Sequence, residues 1–262
     1  MELTAARDQV EDLAPRLTKS IDRLDSLNHG SIQIPARIPG PGPLLMLGAP
    51  GVGKGTQADS LKKLWGVPKI STGDILRANV ANGTGPGVRA KRIMERGGLV
   101  PDEIMTEMVA DRLGLTDTVP GFILDGFPRT ILQATWLDGY LIDHRPGDVL
   151  GIINLCMDFE EIVERIVHRR VCPLCKAVYN IQFKPPKRTG KCDKDDTELI
   201  QRSDDSLDVL RTRLDVFRKE TEPLLQYYRS HSPFIQIEAA KPPSIVTEAI
   251  VAALTCFRTP TN

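Results

Sequence analysis

Gly48 to Thr56 reads GAPGVGKGT. Glycines at 48, 51, 53 and 55 let the backbone N–H groups of this stretch converge on one anion, and Lys54 adds a mobile full charge. The run before it, LLMLG from Leu44, is short and apolar, as a strand covered on both faces is; the run after it, Thr56 to Trp65, has helical character. Strand, glycine loop and helix in that order favour a phosphate cradle over a glycine-rich turn without a ligand. The usual pattern, G-x-x-x-x-G-K-S/T, carries a hydroxyl directly after the lysine. Here Gly55 holds that place and Thr56 comes one residue late, so the magnesium arrangement must differ from the common one.

Outward from the loop the strand, loop, helix alternation repeats. Gly121 to Leu124, Val149 to Leu155 and Phe234 to Ile237 are further apolar runs flanked by helical stretches, which predicts an α/β fold with a parallel sheet. The globular part starts at about Gly42. Before it, Val10, Leu13, Leu17, Ile21, Leu24 and Leu27 recur three or four apart, the stripe of an amphipathic helix, and the segment from His29 to Pro43 is a proline- and glycine-rich linker. The expected organisation is therefore an N-terminal helical extension over residues 1–41 and a nucleotide-handling domain over 42–262. The acidic residues Glu2, Asp8, Glu11 and Asp12 argue against an organellar transit peptide; a helix folded back on the domain and one that pairs with a partner are equally compatible with the stripe.

Lysine plus arginine equals aspartate plus glutamate at 34 each, so no global field draws nucleic acid or an anionic membrane, and anion binding must be local. No run approaches the roughly 18 apolar residues of a membrane span. A soluble, cytoplasmic protein is expected. Five cysteines, three of them between Cys172 and Cys192, suit a metal better than a disulfide scaffold.

Phosphoryl transfer between nucleotides brings many negative charges together and needs several guanidiniums in separate places. The chain supplies Arg77 after STGD, Arg129 in DGFPRT, Arg165, Arg169 and Arg170 in ERIVHRR, Arg202 in QRSDD, and Arg211 and Arg213 in LRTRL. Asp125 ends the run GFIL, at the carboxyl end of an expected strand, where open sheets place ligand chemistry and where a carboxylate can hold a magnesium-bound water.

GAPGVGKGTQ, STGDILR, GGLVPDE, GFILDGFPRT with Gln133 after it, RIVHRRVC and RSDD stand in this order, and together they resemble the motifs of adenylate kinases over roughly Leu44 to Leu254. The resemblance implies a P-loop parallel sheet flanked by helices, with a monophosphate-binding helical insertion and a lid insertion. It also accounts for Gly55, because nucleoside monophosphate kinases are similar in having glycine after the lysine, with magnesium held by phosphates and by waters near the DGFPR aspartate. It places ATP against Gly51, Val52, Gly53, Lys54, Gly55 and Thr56, with Arg165 against the base. Residues 71–100 become the AMP segment, in which Thr72, Gly126, Gln133 and the backbone of Gly98 and Val100 face the base. Arg77 and Arg129 meet the AMP phosphate. Residues 168–205 become the lid, which brings Arg169, Arg202 and Arg213 onto the transferring phosphates; Arg202 and Arg213 also reach AMP. Lys54, Asp125, Arg129, Arg169, Arg202 and Arg213 form the implied transfer machinery. Thr72 favours AMP, since kinases of pyrimidine monophosphates commonly resemble STGD with alanine there. No catalytic aspartate is needed, because the acceptor phosphate is already an anionic nucleophile.

The insertion VCPLCKAVYNIQFKPPKRTGKCDKDD gives Cys172-x2-Cys175, then after sixteen residues Cys192-x2-Asp195, two ligand pairs of the kind a tetrahedral zinc site takes. It resembles the long-lid, zinc-bearing adenylate kinases, whose fourth ligand is cysteine or aspartate. Asp193 and Asp196 compete with Asp195, and Lys176 and Asp196 stand where such knuckles often have glycine, which predicts altered turns. Cys156, Cys256, Trp65 and Trp136 read as packing residues, and His168 as surface at the lid hinge. The expected assembly is a monomer binding ATP and AMP, with the N-terminal helix available to pair. The competing functions are a nucleoside monophosphate kinase for another base and a regulatory protein that only binds nucleotide.

Overall fold

A computed structural model describes residues 42–256. The segment expected to form an N-terminal amphipathic helix and most of the expected linker lie outside the described residues, as does the side chain of Cys256.

The chain runs β1 (Pro43–Leu47), α1 (Lys54–Trp65), β2 (Lys69–Ser71), α2 (Thr72–Ala81), α3 (Gly85–Glu95), α4 (Asp102–Leu113), β3 (Phe122–Asp125), α5 (Ile131–His144), β4 (Gly151–Cys156) and α6 (Phe159–Val167). There follow β5 (Arg169–Val171), β6 (Val178–Asn180), α7 (Leu207–Val216), α8 (Pro223–Arg229), β7 (Phe234–Glu238) and α9 (Pro243–Cys256). Five strands form one parallel sheet in the order β2-β3-β1-β4-β7. The strands read as continuous apolar runs because both faces are covered. Leu45, Leu47, Phe122 and Leu124 pack on one face under α4, α5 and α8. Leu44, Met46, Ile123 and Ile235 pack on the other under α1 and α9.

Three expected strands and the strand before the loop are present, each shifted by a residue or two. Helix α1 begins at Lys54 rather than Thr56, so the loop lysine is itself helical. The edge strand β2 has only three residues, too few to show a period. A π-turn, Phe217–Thr221, joins α7 to α8 and bends their common path around the site.

The chain leaves the sheet twice. Between β2 and β3 the helices α2 and α3 pack on each other; between α6 and α7 a small body forms around the antiparallel pair β5-β6. Trp65 and Trp136 pack against the two cores as expected. Cys156 does not belong to the core: as the last residue of β4 it runs past the covering helices and is half-buried, its thiol 3.2 Å from Asn154 Nδ2.

Candidate active site

The site lies where β1 and β3 end. Gly48 and Gly51 are glycine for want of room as well as for their φ angles of 130° and 87°. A Cβ on Gly48 would stand 2.4 Å from the Leu155 carbonyl oxygen, and one on Gly51 2.5 Å from Ile166 Cδ1. Neighbouring elements thus press the loop into the shape that turns its N–H groups inward. Gly53, with φ 111°, caps α1, whose positive end faces the same space. Thr56 lies in the first turn of that helix. Lys54 Nζ donates to the carbonyls of Gly48 (2.7 Å) and Ala49 (2.9 Å), folded back over its own loop. Burial brings its ammonium down to about 8; Asp125 opposes the shift, and Arg129, Arg213 and Arg169 add to it.

The displaced hydroxyl of the opening motif has a physical reason. A Cβ on Gly55 would lie 3.3 Å from Asp125 Oδ2 and 3.6 Å from Lys69 Nζ, so side chains of two neighbouring strands crowd that place. Lys69, which no sequence pattern marked, reaches from β2 to the Gly55 carbonyl (3.3 Å), Asp59 (3.0 Å) and Asp125 Oδ2 (3.9 Å).

Two adjoining cavities share Gly97, Leu99, Gly126, Arg129 and Arg213 as a common wall. Lys54 lines one of them. Thr72, Arg77, Gly98, Val100 and Gln133 line the other. Thr72 is buried and donates to the Gly126 carbonyl at 2.8 Å, while Arg77 pairs with Asp74 at 2.6 Å. Arg129 Nε donates to the Gly126 carbonyl (2.8 Å), and its own carbonyl accepts from Thr221 Oγ1 (2.9 Å), at the far end of the π-turn. Burial first, then Arg213 and Arg77, press Arg129 down to about 10, against the pull of Asp125. Buried guanidiniums this close to one another favour an anion between them.

Arg169 and Arg202 line neither cavity. Arg169 forks onto the buried carboxylate of Asp205, one arm being Nε–Oδ2 at 2.8 Å, and Arg213 holds Asp204 at 3.2 Å. Burial, then Arg169 and Arg77, bring Arg202 down to about 10, so these cations feel one another across the cleft. Arg165 stands apart, donating to the carbonyls of Val52 (3.4 Å), Ala239 (2.9 Å) and Ala240 (3.0 Å), where it bridges the loop to the β7–α9 turn. His168 caps the carboxyl end of α6, its Nδ1 2.9 Å from the Glu164 carbonyl.

In the lid body the donor atoms of Cys172, Cys175, Cys192 and Asp195 lie within 4.8 Å of one another. The two knuckles are near copies. Cys172 N donates to Ala177 O (2.9 Å) and Lys176 N to Cys172 O (3.1 Å); Cys192 N donates to Thr197 O (2.8 Å) and Asp196 N to Cys192 O (3.0 Å). Lys176 and Asp196 both adopt φ 61°, so the turns keep the left-handed form without glycine, contrary to the altered turns the sequence predicts. Asp193 accepts from Lys187 N (2.8 Å) and Asp196 pairs with Arg188, which leaves Asp195 to face the thiols. Cys172 Sγ donates to the Asp195 carboxylate at 3.4 Å; the closeness of that carboxylate pushes the Cys175 thiol up to about 12, and the surrounding thiols hold the carboxyl well below its usual range. Soft thiol donors in a compact set of four fit zinc better than a hard cation.

Comparison with known proteins bears on this geometry. A family model described as adenylate kinase matches residues 46–233. The chain belongs to the adenylate kinase family. It is 46% identical over 211 residues to an adenylate kinase of Caldanaerobacter subterraneus subsp. tengcongensis, covering 80% of this chain and 95% of that one. It is 50% identical over 186 residues to that of Thermodesulfovibrio yellowstonii (71% and 86%), and 45% identical over 211 residues to that of Archaeoglobus fulgidus (80% and 97%). Among the described residues no helix is long and apolar enough to cross a membrane.

Proposed function

We propose that the chain transfers the terminal phosphoryl group of ATP, carried as its magnesium complex, reversibly to AMP to give two ADP. The observation that carries this reading is the shared wall of Arg129 and Arg213 between a cavity holding Lys54 and one lined by Thr72, Arg77 and Gln133. An AMP phosphate against Arg77 and Arg129 lies next to a γ-phosphate against Lys54 and Arg213, in line for transfer. The acceptor oxygen carries its own negative charge, so the protein has to position the pair, neutralise the developing charge and exclude water.

In this reading residues 71–100 close over AMP and residues 168–205 over ATP. Closure moves Arg169 and Arg202 from Asp205 and their neighbours onto the phosphates, and Arg165 flanks the ATP base. Asp125 orients waters of the nucleotide-borne magnesium, which supplies charge neutralisation when bound. Zinc held by Cys172, Cys175, Cys192 and Asp195 is structural, since a closed set of four protein ligands leaves no place for a reactive water. The enzyme works as a cytoplasmic monomer with ATP and AMP as its partners. A coupled assay of ADP formation with ATP plus AMP, GMP, UMP or CMP tests the reading. Turnover fastest with AMP is expected; turnover fastest with another monophosphate, or none with any, sinks it.

A further inference from the structure

Gln133 is 2% exposed, and its amide is committed on both sides. Oε1 accepts from Arg129 N at 2.8 Å, and Nε2 donates to Asp102 Oδ1 at 2.6 Å. The second carboxylate oxygen of Asp102 accepts from Thr130 Oγ1 at 2.9 Å, and Thr130 in turn caps α5 by accepting from Gln133 N at 3.2 Å. A backbone N–H cannot accept and a carboxylate cannot donate. Turning the amide over would therefore set N–H against N–H and oxygen against carboxylate, breaking both bonds in a buried place. The amide keeps one N–H and one lone pair for a ligand in the cavity it lines with Thr72, Leu76 and Met105.

We propose that Asp102 is a specificity-determining positioning residue, which locks the polarity of Gln133 so that the monophosphate cavity takes a 6-aminopurine and refuses a 6-oxopurine. The inference rests on the AMP subsite assigned above. On its outer edge adenine offers an acceptor at N1 and a donor at N6; guanine offers a donor at N1 and an acceptor at O6. In the same pose the two bases demand opposite amides. With Gln133 free to turn, either could be met; with Asp102 and Arg129 N holding it, guanine leaves a buried donor facing a donor, the kind of mismatch that discriminates strongly. A bland role also exists, in which Asp102 merely staples the start of α4 to the start of α5. That role would alter stability and would move both monophosphates together.

The test is kcat/KM for AMP and for GMP, with ATP as donor, in wild type, Asp102→Asn, Gln133→Ala and the double variant. Asp102→Asn should lower the AMP:GMP ratio by about tenfold, since asparagine can accept or donate and leaves Arg129 N as the one group opposing the turned amide. In the Gln133→Ala background the same change should leave the ratio where it was. Asp102→Ser, too short to reach Gln133 but well suited to a helix start, should shift the ratio in the same direction and serves if Asp102→Asn does not fold. Equal proportional losses for AMP and GMP, or an equal shift with and without Gln133, overturn the proposal. If wild type turns over no monophosphate, the activity assigned above fails instead, and equilibrium binding of AMP and GMP to the same proteins decides the role of Asp102.

Discussion

The phosphate loop and the lid knuckles bend their backbones the same way for opposite reasons. Gly48 and Gly51 take positive φ where Leu155 and Ile166 leave no room for a side chain. Lys176 and Asp196 take φ 61° in exposed turns, where a side chain has room and strain of about 1–2 kcal/mol is tolerated. The loop is shaped from outside, by packed neighbours, to receive a ligand that comes and goes. The knuckles are shaped from inside, by their own paired backbone hydrogen bonds, which bring four potential donor atoms within 4.8 Å of one another. Loop changes should therefore always be felt in nucleotide handling, whatever they do to stability, and knuckle changes in folding alone.

The sharpest test of that division is Lys54→Ala. Turnover should fall about a thousandfold while the melting temperature holds or rises, because the ammonium acts on transition-state charge and its desolvation costs the free fold stability; a steady-state assay beside a melting curve reads both. The knuckles should behave in reverse. Chelation, or Cys192→Ser, should cost about 3 kcal/mol of stability with activity retained in the cold, since metal affinity adds to folding free energy. Elemental analysis with melting before and after treatment checks it, and a melting point indifferent to both would break the comparison.

Gly51→Ala should cost about 2–3 kcal/mol from overpacking against Ile166 together with left-handed strain, and should weaken ATP binding as well. Denaturant unfolding and nucleotide titration measure the two effects. Lys54 also carries a pH signature. Its folded value is lowered from 10.5 to about 8 in the nucleotide-free protein. Between those values the unfolded chain holds the extra proton, so stability of the free protein rises with pH across that window. A bound phosphate restores the ammonium, so ATP affinity should weaken by about tenfold per pH unit above about 8, with proton uptake on binding that Lys54→Ala abolishes. Calorimetry in buffers of different ionisation enthalpy reads the proton directly. The smallest effect is expected from Lys176→Gly, which should stabilise the metal-bound protein by about 0.5–1 kcal/mol, because relief of left-handed strain exceeds the entropy of glycine. The same change made in reverse at Gly51 has no such choice.

Much of the site was legible because its chemistry is local in sequence. The loop, STGD, DGFPRT and the two knuckles each place their candidate residues within a few positions; Lys54, Thr72, Arg77, Gly126 and Arg129 line the cavities, while Gly51, Val52, Gly53, Gly55, Thr56 and Asp125 stand behind that lining. Lys69 and Asp102 were not legible as site residues. Lys69 stands on a three-residue strand without a readable period and matters only because β2 lies beside β3. Asp102 was visible within GGLVPDE, but its value lies in a contact to Gln133, 31 residues away. The strained conformation of Lys176 and Asp196 was hidden for the opposite reason, since propensity argues for glycine there and the local hydrogen bonds of each knuckle override it.

The roots of the lid have one more consequence. Val171 and Ile200 exchange a pair of backbone hydrogen bonds, at 2.8 and 3.0 Å. Just beneath them Ile162 and Ile166 of α6 meet Leu210 and Leu214 of α7. The excursion leaves and re-enters the body at one stitched point. Whatever hangs beyond that stitch can be lengthened, shortened or exchanged without shifting the register of any sheet strand, so the lid is a cassette. The mount belongs to the enzyme, and the contents of the cassette are free to vary.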